Sequence, residues 1–237
     1  MNKNNIKAIL FDKDGVLVDF QATYGGSTRE IIRRLSAGSD DLFQSLAVEI
    51  GFNISDNYIH PSSPLVGGCA LDICAVWAGV LGVKNSREFQ VNVDGMFKEL
   101  TESGVVLIDG VGTVLQDLNQ TYKLGLATND MEACARAQLT HSGIIDNFGF
   151  LSGYDTGHGP KPETGMAEAF LKYTELVPKN VVMVGDSAHD MHFAKAAGMT
   201  AIGVSTGPLP ADELAHHADH MLESLSELPF FLEQFQQ

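Results

Sequence analysis

The stretch Ile9-Leu10-Phe11-Asp12-Lys13-Asp14-Gly15-Val16-Leu17-Val18-Asp19 decides how this chain is read. An apolar run from Ala8 to Phe11 stops at two carboxylates two residues apart, and Gly15 follows at once. A run of that length predicts a buried parallel strand. Open α/β sheets place their ligands at the C-terminal ends of such strands. Two carboxylates held there repel each other and lose hydration, which a divalent cation with oxygen ligands would offset. The competing reading is an Asp-Gly hairpin turn. The flanking residues do not alternate polar and apolar as hairpin strands do, so the parallel strand is preferred.

Working outward, short apolar runs alternate with helically spaced segments. Residues 6–12, Lys123–Thr128, Phe148–Ser152, Val181–Asp186 and Thr200–Ser205 are predicted strands. Between them, Val114 and Leu118 lie four apart, and Met166, Phe170 and Tyr173 share a helical face behind a candidate N-cap, Thr164. Ala188–Ala197 ends at Gly198, a favourable residue just past a helix. Such alternation implies an α/β fold: a doubly wound, mostly parallel sheet covered on both faces.

Residues 20–104 break the rhythm. Phe43, Leu46, Ala47 and Ile50 share one helical face before Gly51; Ala70, Cys74, Trp77, Ala78 and Leu81 share another before Gly82. The reading is an all-helical domain at 20–104 inserted into an α/β core at 1–19 and 105–237. Gly25-Gly26 and Pro61-Ser62-Ser63-Pro64 are read as loops within it.

The chain of 237 residues carries 15 basic against 30 acidic side chains, a net charge of −15. That balance argues against nucleic acid and anionic membranes as partners, since both would repel it. It leaves room for a small phosphorylated metabolite, because a bound cation and one lysine can reverse the sign inside a pocket. Cys69, Cys74 and Cys134 match no metal or redox spacing and read as reduced core thiols. Met1–Asn5 leads straight into the first strand and no apolar run approaches the ~18–20 residues of a membrane span. A soluble cytoplasmic protein, monomer or homodimer, is expected.

Four polar sites fall at the C-terminal ends of predicted strands, in order: Asp12-Lys13-Asp14, Thr128-Asn129, Lys161 within Gly159-Pro160-Lys161-Pro162, and Gly185-Asp186-Ser187-Ala188-His189-Asp190. Singly each has an ordinary explanation: a turn, a solvated charge, a helix cap. Jointly they resemble the four motifs of the haloacid dehalogenase (HAD)-like hydrolases, over nearly the full length. The similarity is to the phosphoglycolate phosphatase-like branch, which has a helical cap after the first motif on a Rossmann-like core. The resemblance implies an Mg²⁺-dependent phosphatase acting on a small phosphomonoester, phosphoglycolate-like or a sugar phosphate. Asp12 would be the nucleophile that becomes an aspartyl-phosphate. Asp14 would protonate the leaving alcohol and later deprotonate water. Asp12, the Asp14 backbone carbonyl and Asp186 would hold the Mg²⁺. The Thr128 hydroxyl, the Asn129 amide and Lys161 would hold phosphate oxygens, with Lys161 also neutralising the acids. Ser187 and Asp190 would support the site, Asp190 through Lys161 or a metal-bound water. An acid at position 14 fits phosphate-ester chemistry and sets the dehalogenase and phosphonatase branches aside. Phe20 after Asp19 departs from the small hydroxyl residue common there and makes the way into the cap more apolar.

Two rivals remain: a β-phosphoglucomutase-like phosphosugar mutase on the same scaffold, and a non-catalytic metabolite-binding regulatory protein. Other features read as structural. His216, His217 and His220 lack a nearby acid or thiol at ligand spacing, and His189 and His192 read as exposed. Gly110-Val111-Gly112 is a turn, Trp77 is core, and Arg29, Arg33 and Arg34 form a solvated helix face that could reach a substrate carboxylate.

Overall fold

The structure, a computed structural model, describes residues 5–235. From the N-terminus, β1 (Ala8–Phe11) leads into α1 (Phe20–Leu35), α2 (Asp40–Glu49), a ribbon of β2 (Phe52–Asn53) and β3 (Tyr58–Ile59), α3 (Ala70–Leu81) and α4 (Arg87–Thr101). Then follow α5 (Val111–Asn119), β4 (Lys123–Ala127), α6 (Glu132–His141), β5 (Phe150–Ser152) and α7 (Gly165–Thr174). The chain ends with β6 (Val181–Gly185), α8 (Ala188–Ala196), β7 (Thr200–Val204), α9 (Ala211–Ala215), β8 (His220–Leu222) and α10 (Leu228–Phe235).

Six strands form one parallel sheet in the order β5-β4-β1-β6-β7-β8. The first strand lies near its middle, pairing Ala8 with both Lys123 and Val181. Successive strand residues face opposite sides. Ile9 and Phe11 therefore join the apolar layer with Val114, Leu118 and Leu139, while Ala8 and Leu10 join the layer with Met166, Phe170 and Phe193. A third apolar cluster, with Trp77, Phe97, Leu46 and Ile32, lies wholly within the helical insertion. The Trp77 indole N–H donates to the Leu46 carbonyl at 3.2 Å, tying α3 to α2.

Several local expectations change. The ribbon β2–β3 accompanies the helices of the insertion. Gly25 and Gly26 lie inside α1 rather than in a loop. A Cβ at Gly25 would run into the Asn57 carbonyl oxygen, so glycine there lets the ribbon close onto the helix. Thr164 stands at the N-cap of α7 but makes no capping bond; its hydroxyl donates to Glu168 Oε1 at 2.7 Å. Tyr173 is exposed, its ring 5.8 Å from Phe150 and 6.5 Å from Phe170, while Met166 and Phe170 are fully buried. An additional strand, β8, extends the sheet beyond β7 on little apolar sequence.

Candidate active site

The Asp12 amide donates to the Val184 carbonyl at 2.9 Å, fixing the residue just past β1 beside the end of β6. Its Oδ1 accepts from Lys161 Nζ at 2.7 Å. Lys161, in the loop before α7, also donates to Asp190 Oδ1 at 2.6 Å. Asp190 Oδ2 accepts from the Ser187 amide at 3.1 Å and the Ser187 hydroxyl at 2.6 Å, a reciprocal capping box that opens α8. Asp190 thus has both oxygens committed, one to the lysine and one to the helix start. Ligand oxygens of Asp12, Asp186 and Asp190 all lie within 4.8 Å of one another.

This cluster is buried and short of positive charge. Burial pushes the Asp12 carboxyl up to about 7, with Asp190 adding to the rise and Lys161 opposing it. Burial likewise raises Asp186 well above the usual carboxylate range, reinforced by Asp190 and Asp12. For Lys161, burial works against the charge, but Asp12 and Asp190 outweigh it and hold its pKa above the ordinary lysine value. An all-carboxylate, buried, under-neutralised donor set fits a hard divalent cation such as Mg²⁺. Its geometry is guarded by glycine: a Cβ at either Gly15 or Gly207 would collide with the Asp186 carboxylate.

Asp14 turns its carboxylate to a residue that its local pattern does not mark. Lys13 is completely buried. Its ammonium donates to Asp14 Oδ1 at 3.0 Å, the Tyr24 hydroxyl at 2.8 Å and Gln138 Oε1, and pairs with Asp130 Oδ2 at 3.0 Å. Gln138 passes the network on to Thr101 Oγ1 at 2.7 Å. Burial opposes this charge too, and Asp130 and Asp14 overcome it. Two of these partners lie 11 and 125 residues away, so no sequence window contains the set.

Thr128 and Asn129 follow β4 and are buried. The Thr128 hydroxyl accepts from the Asp130 amide at 3.1 Å and keeps its proton to donate. The Asn129 side chain accepts from the Lys161 amide at 2.7 Å, and its Nδ2 donates to the carbonyls of Lys161 at 3.1 Å and Gly67 at 2.8 Å. That side chain joins the lysine loop to the helical insertion, a role the sequence reading did not assign. Between insertion and sheet edge lies a cavity of about 80 Å³ that reaches Asp12, Asp14, Thr128, Asn129, Lys161 and Asp186.

The remaining candidates lie elsewhere. His189 is exposed beside Gly67. His192 and His217 stack edge-on at 4.9 Å with no acid or thiol completing a metal group among the described residues. Arg29 donates to the Ile54 carbonyl and to Asn57 Oδ1 at 3.0 Å, Arg33 pairs with Glu30, and Arg34 bridges Glu30 and Glu99. These arginines fasten the insertion from outside and none lines the cavity.

Carboxylates and a lysine gathered at one edge of a parallel sheet, beneath helices inserted after the first strand, define a capped α/β enzyme. The chain belongs to the haloacid dehalogenase-like hydrolase family, whose pattern matches residues 80–204, and within it resembles the phosphoglycolate phosphatase-like phosphatases. It is 28% identical to "Probable phosphatase IndB" of Dickeya dadantii (strain 3937), over 93% of this chain and 90% of the relative. It is also 28% identical to the phosphoglycolate phosphatase of Chromobacterium violaceum, over 96% and 97%. Among solved structures, a HAD family hydrolase from Deinococcus radiodurans R1, crystallised with bound phosphate and sodium, superposes with a TM-score of 0.67. It is 20% identical, over 98% of this chain and 97% of that one. No helix among the described residues is long and apolar enough to cross a membrane.

Proposed function

We propose that this protein is an Mg²⁺-dependent phosphatase that hydrolyses a small phosphomonoester through a phosphorylated Asp12. The observation that carries the reading is the buried cluster in which Asp12 Oδ1 stands 2.7 Å from Lys161 Nζ, with Asp186 and Asp190 oxygens within 4.8 Å. Relatives named as phosphatases, and one structural relative that holds phosphate, support it.

Asp12 attacks phosphorus while the ester P–O bond breaks, and Asp14 gives its proton to the leaving oxygen. Burial raises the Asp14 carboxyl, with Lys13 opposing. Asp14 then takes a proton from the water that attacks the phosphorylated Asp12, and inorganic phosphate leaves. Lys161, the Thr128 hydroxyl and the Asn129 amide hold the phosphoryl oxygens. Asp190 and Ser187 set the direction of the Lys161 ammonium. Mg²⁺, held by Asp12, Asp186 and the Asp14 carbonyl, would neutralise charge between carboxylate and phosphoryl group. Residues 20–104 act as a cap that excludes water from the first step. Three buried free cysteines agree with a reducing, cytoplasmic compartment.

A screen of phosphorylated metabolites for Mg²⁺-dependent phosphate release, run beside Asp12→Asn, tests the reading. Release is expected from the unaltered chain and none from a normally folded Asp12→Asn. Unchanged turnover in that variant would overturn the mechanism. Transfer of phosphate between hydroxyls with little release would convert it into a mutase.

A further inference from the structure

Beside its acids and lysine, the cavity has an apolar lining. Phe20, Tyr24, Leu65, Val66, Phe97 and Met131 line it. Three of these make a continuous aromatic wall, with ring centroids 5.3 Å apart for Phe20–Tyr24 and 6.3 Å for Tyr24–Phe97. A carboxylate lines the same cavity: Asp94, three residues before Phe97 on α4 and only 5% exposed. Burial raises its carboxyl, the neighbouring Asp130 adds to the rise, and the charge of Arg87 opposes it. Lys161 is the sole base among the described residues that line the cavity, and it is held by Asp12 and Asp190. Lys13, behind the wall, has its donors taken by Asp14, Tyr24 and Gln138.

An anionic leaving group would meet Asp94 here with no cation to pair with. A protonated amine would meet a buried carboxylate and aromatic faces, both of which attract it. Resting on the hydrolase reading above, we infer that the substrate is a small amino-alcohol phosphate, its ammonium paired with Asp94 and its carbon body against the Phe20–Tyr24–Phe97 wall. The bonds broken and formed are those already described. The leaving oxygen departs as the amino alcohol, with the proton from Asp14, and the amine itself does not react.

The experiment compares Mg²⁺-dependent phosphate release from three esters of similar size: phosphoethanolamine, propyl phosphate and phosphoglycolate, with p-nitrophenyl phosphate as a general probe. The expected kcat/KM for phosphoethanolamine exceeds that for propyl phosphate by ~10-fold or more, the scale of a desolvated cation–aromatic and charge-assisted contact, and phosphoglycolate is slowest. Asp94→Asn should shrink the ratio of phosphoethanolamine to propyl phosphate, mainly through KM, and Asp94→Lys should turn preference toward phosphoglycolate. If neither variant folds, the order of the three esters on the unaltered protein decides alone. Phosphoglycolate as the fastest ester, or equal rates for all three, overturns the inference and leaves the hydrolase standing. No Mg²⁺-dependent release from any of the four esters overturns the hydrolase reading itself.

Discussion

At residue 13 a lysine that water does not reach holds together two acids, a tyrosine and a glutamine from four parts of the chain. Removing one member of a buried charged set leaves the others uncompensated, which typically costs ~3–5 kcal/mol. Lys13→Met should therefore lower the unfolding free energy by about that amount in a denaturant titration. A loss under ~1 kcal/mol, the scale of exposed pairs, would show that the network carries no such weight. Asp12, Lys161, Asp186 and Asp190 were legible as a group only through the joint order of their motifs along the chain and its likeness to a known family; Asp12 and Asp186 also follow apolar strand runs directly. Lys13 was not legible. A lysine between two aspartates carries no mark of burial until Tyr24, Asp130 and Gln138 are placed around it. Asp94 was hidden for the same reason, on a helix whose pattern alone does not say which face meets the sheet edge.

At the scale of elements, β4 and α7 meet through a missing side chain. A Cβ at Gly125 would lie 2.8 Å from Phe170 Cδ2, well inside contact distance. Gly125→Ala should cost ~1–3 kcal/mol by overpacking, and Phe170→Leu in the same chain should recover part of it, both read by thermal unfolding. Full additivity of the two changes would refute the contact. The strands of the central sheet could be read from sequence because apolar runs of four or five residues, bounded by turn residues, have few other uses. Of the insertion's helices, α2 and α3 were legible from their periodic faces. The placement of Gly25-Gly26 was not, since two glycines normally interrupt a helix. At Gly25 the Asn57 carbonyl packs where a side chain would stand, a contact no sequence pattern marks. The strand β8 escaped because two apolar residues at a sheet edge give almost no periodic signal.

For the whole molecule, the buried acids at the sheet edge tie stability to pH. Asp12 sits at about 7 in the folded chain against an ordinary 3.8. A carboxyl raised in this way favours the fold when protonated, so its contribution is whole below about pH 4 and is lost as pH rises through about 7. Asp186 is shifted in the same direction. On the proposed reading a divalent cation would take the place of the proton, and Mg²⁺ should then raise Tm more at about pH 8 than at about pH 5.5. At a hundredfold excess over its Kd the stabilisation should approach ~2.7 kcal/mol. Thermal scans with and without Mg²⁺ at the two pH values check this, and equal shifts at both would deny the exchange.

Gly15 and Gly207 are 192 positions apart (207 less 15), yet a side chain at either would collide with the carboxylate of Asp186. Each keeps open the space in which that group stands. A descendant of this chain could therefore retain every acid and the lysine and still lose the placement of Asp186, having gained a single methyl at position 207. Loss of function in such a lineage would be written in what was added rather than in anything deleted.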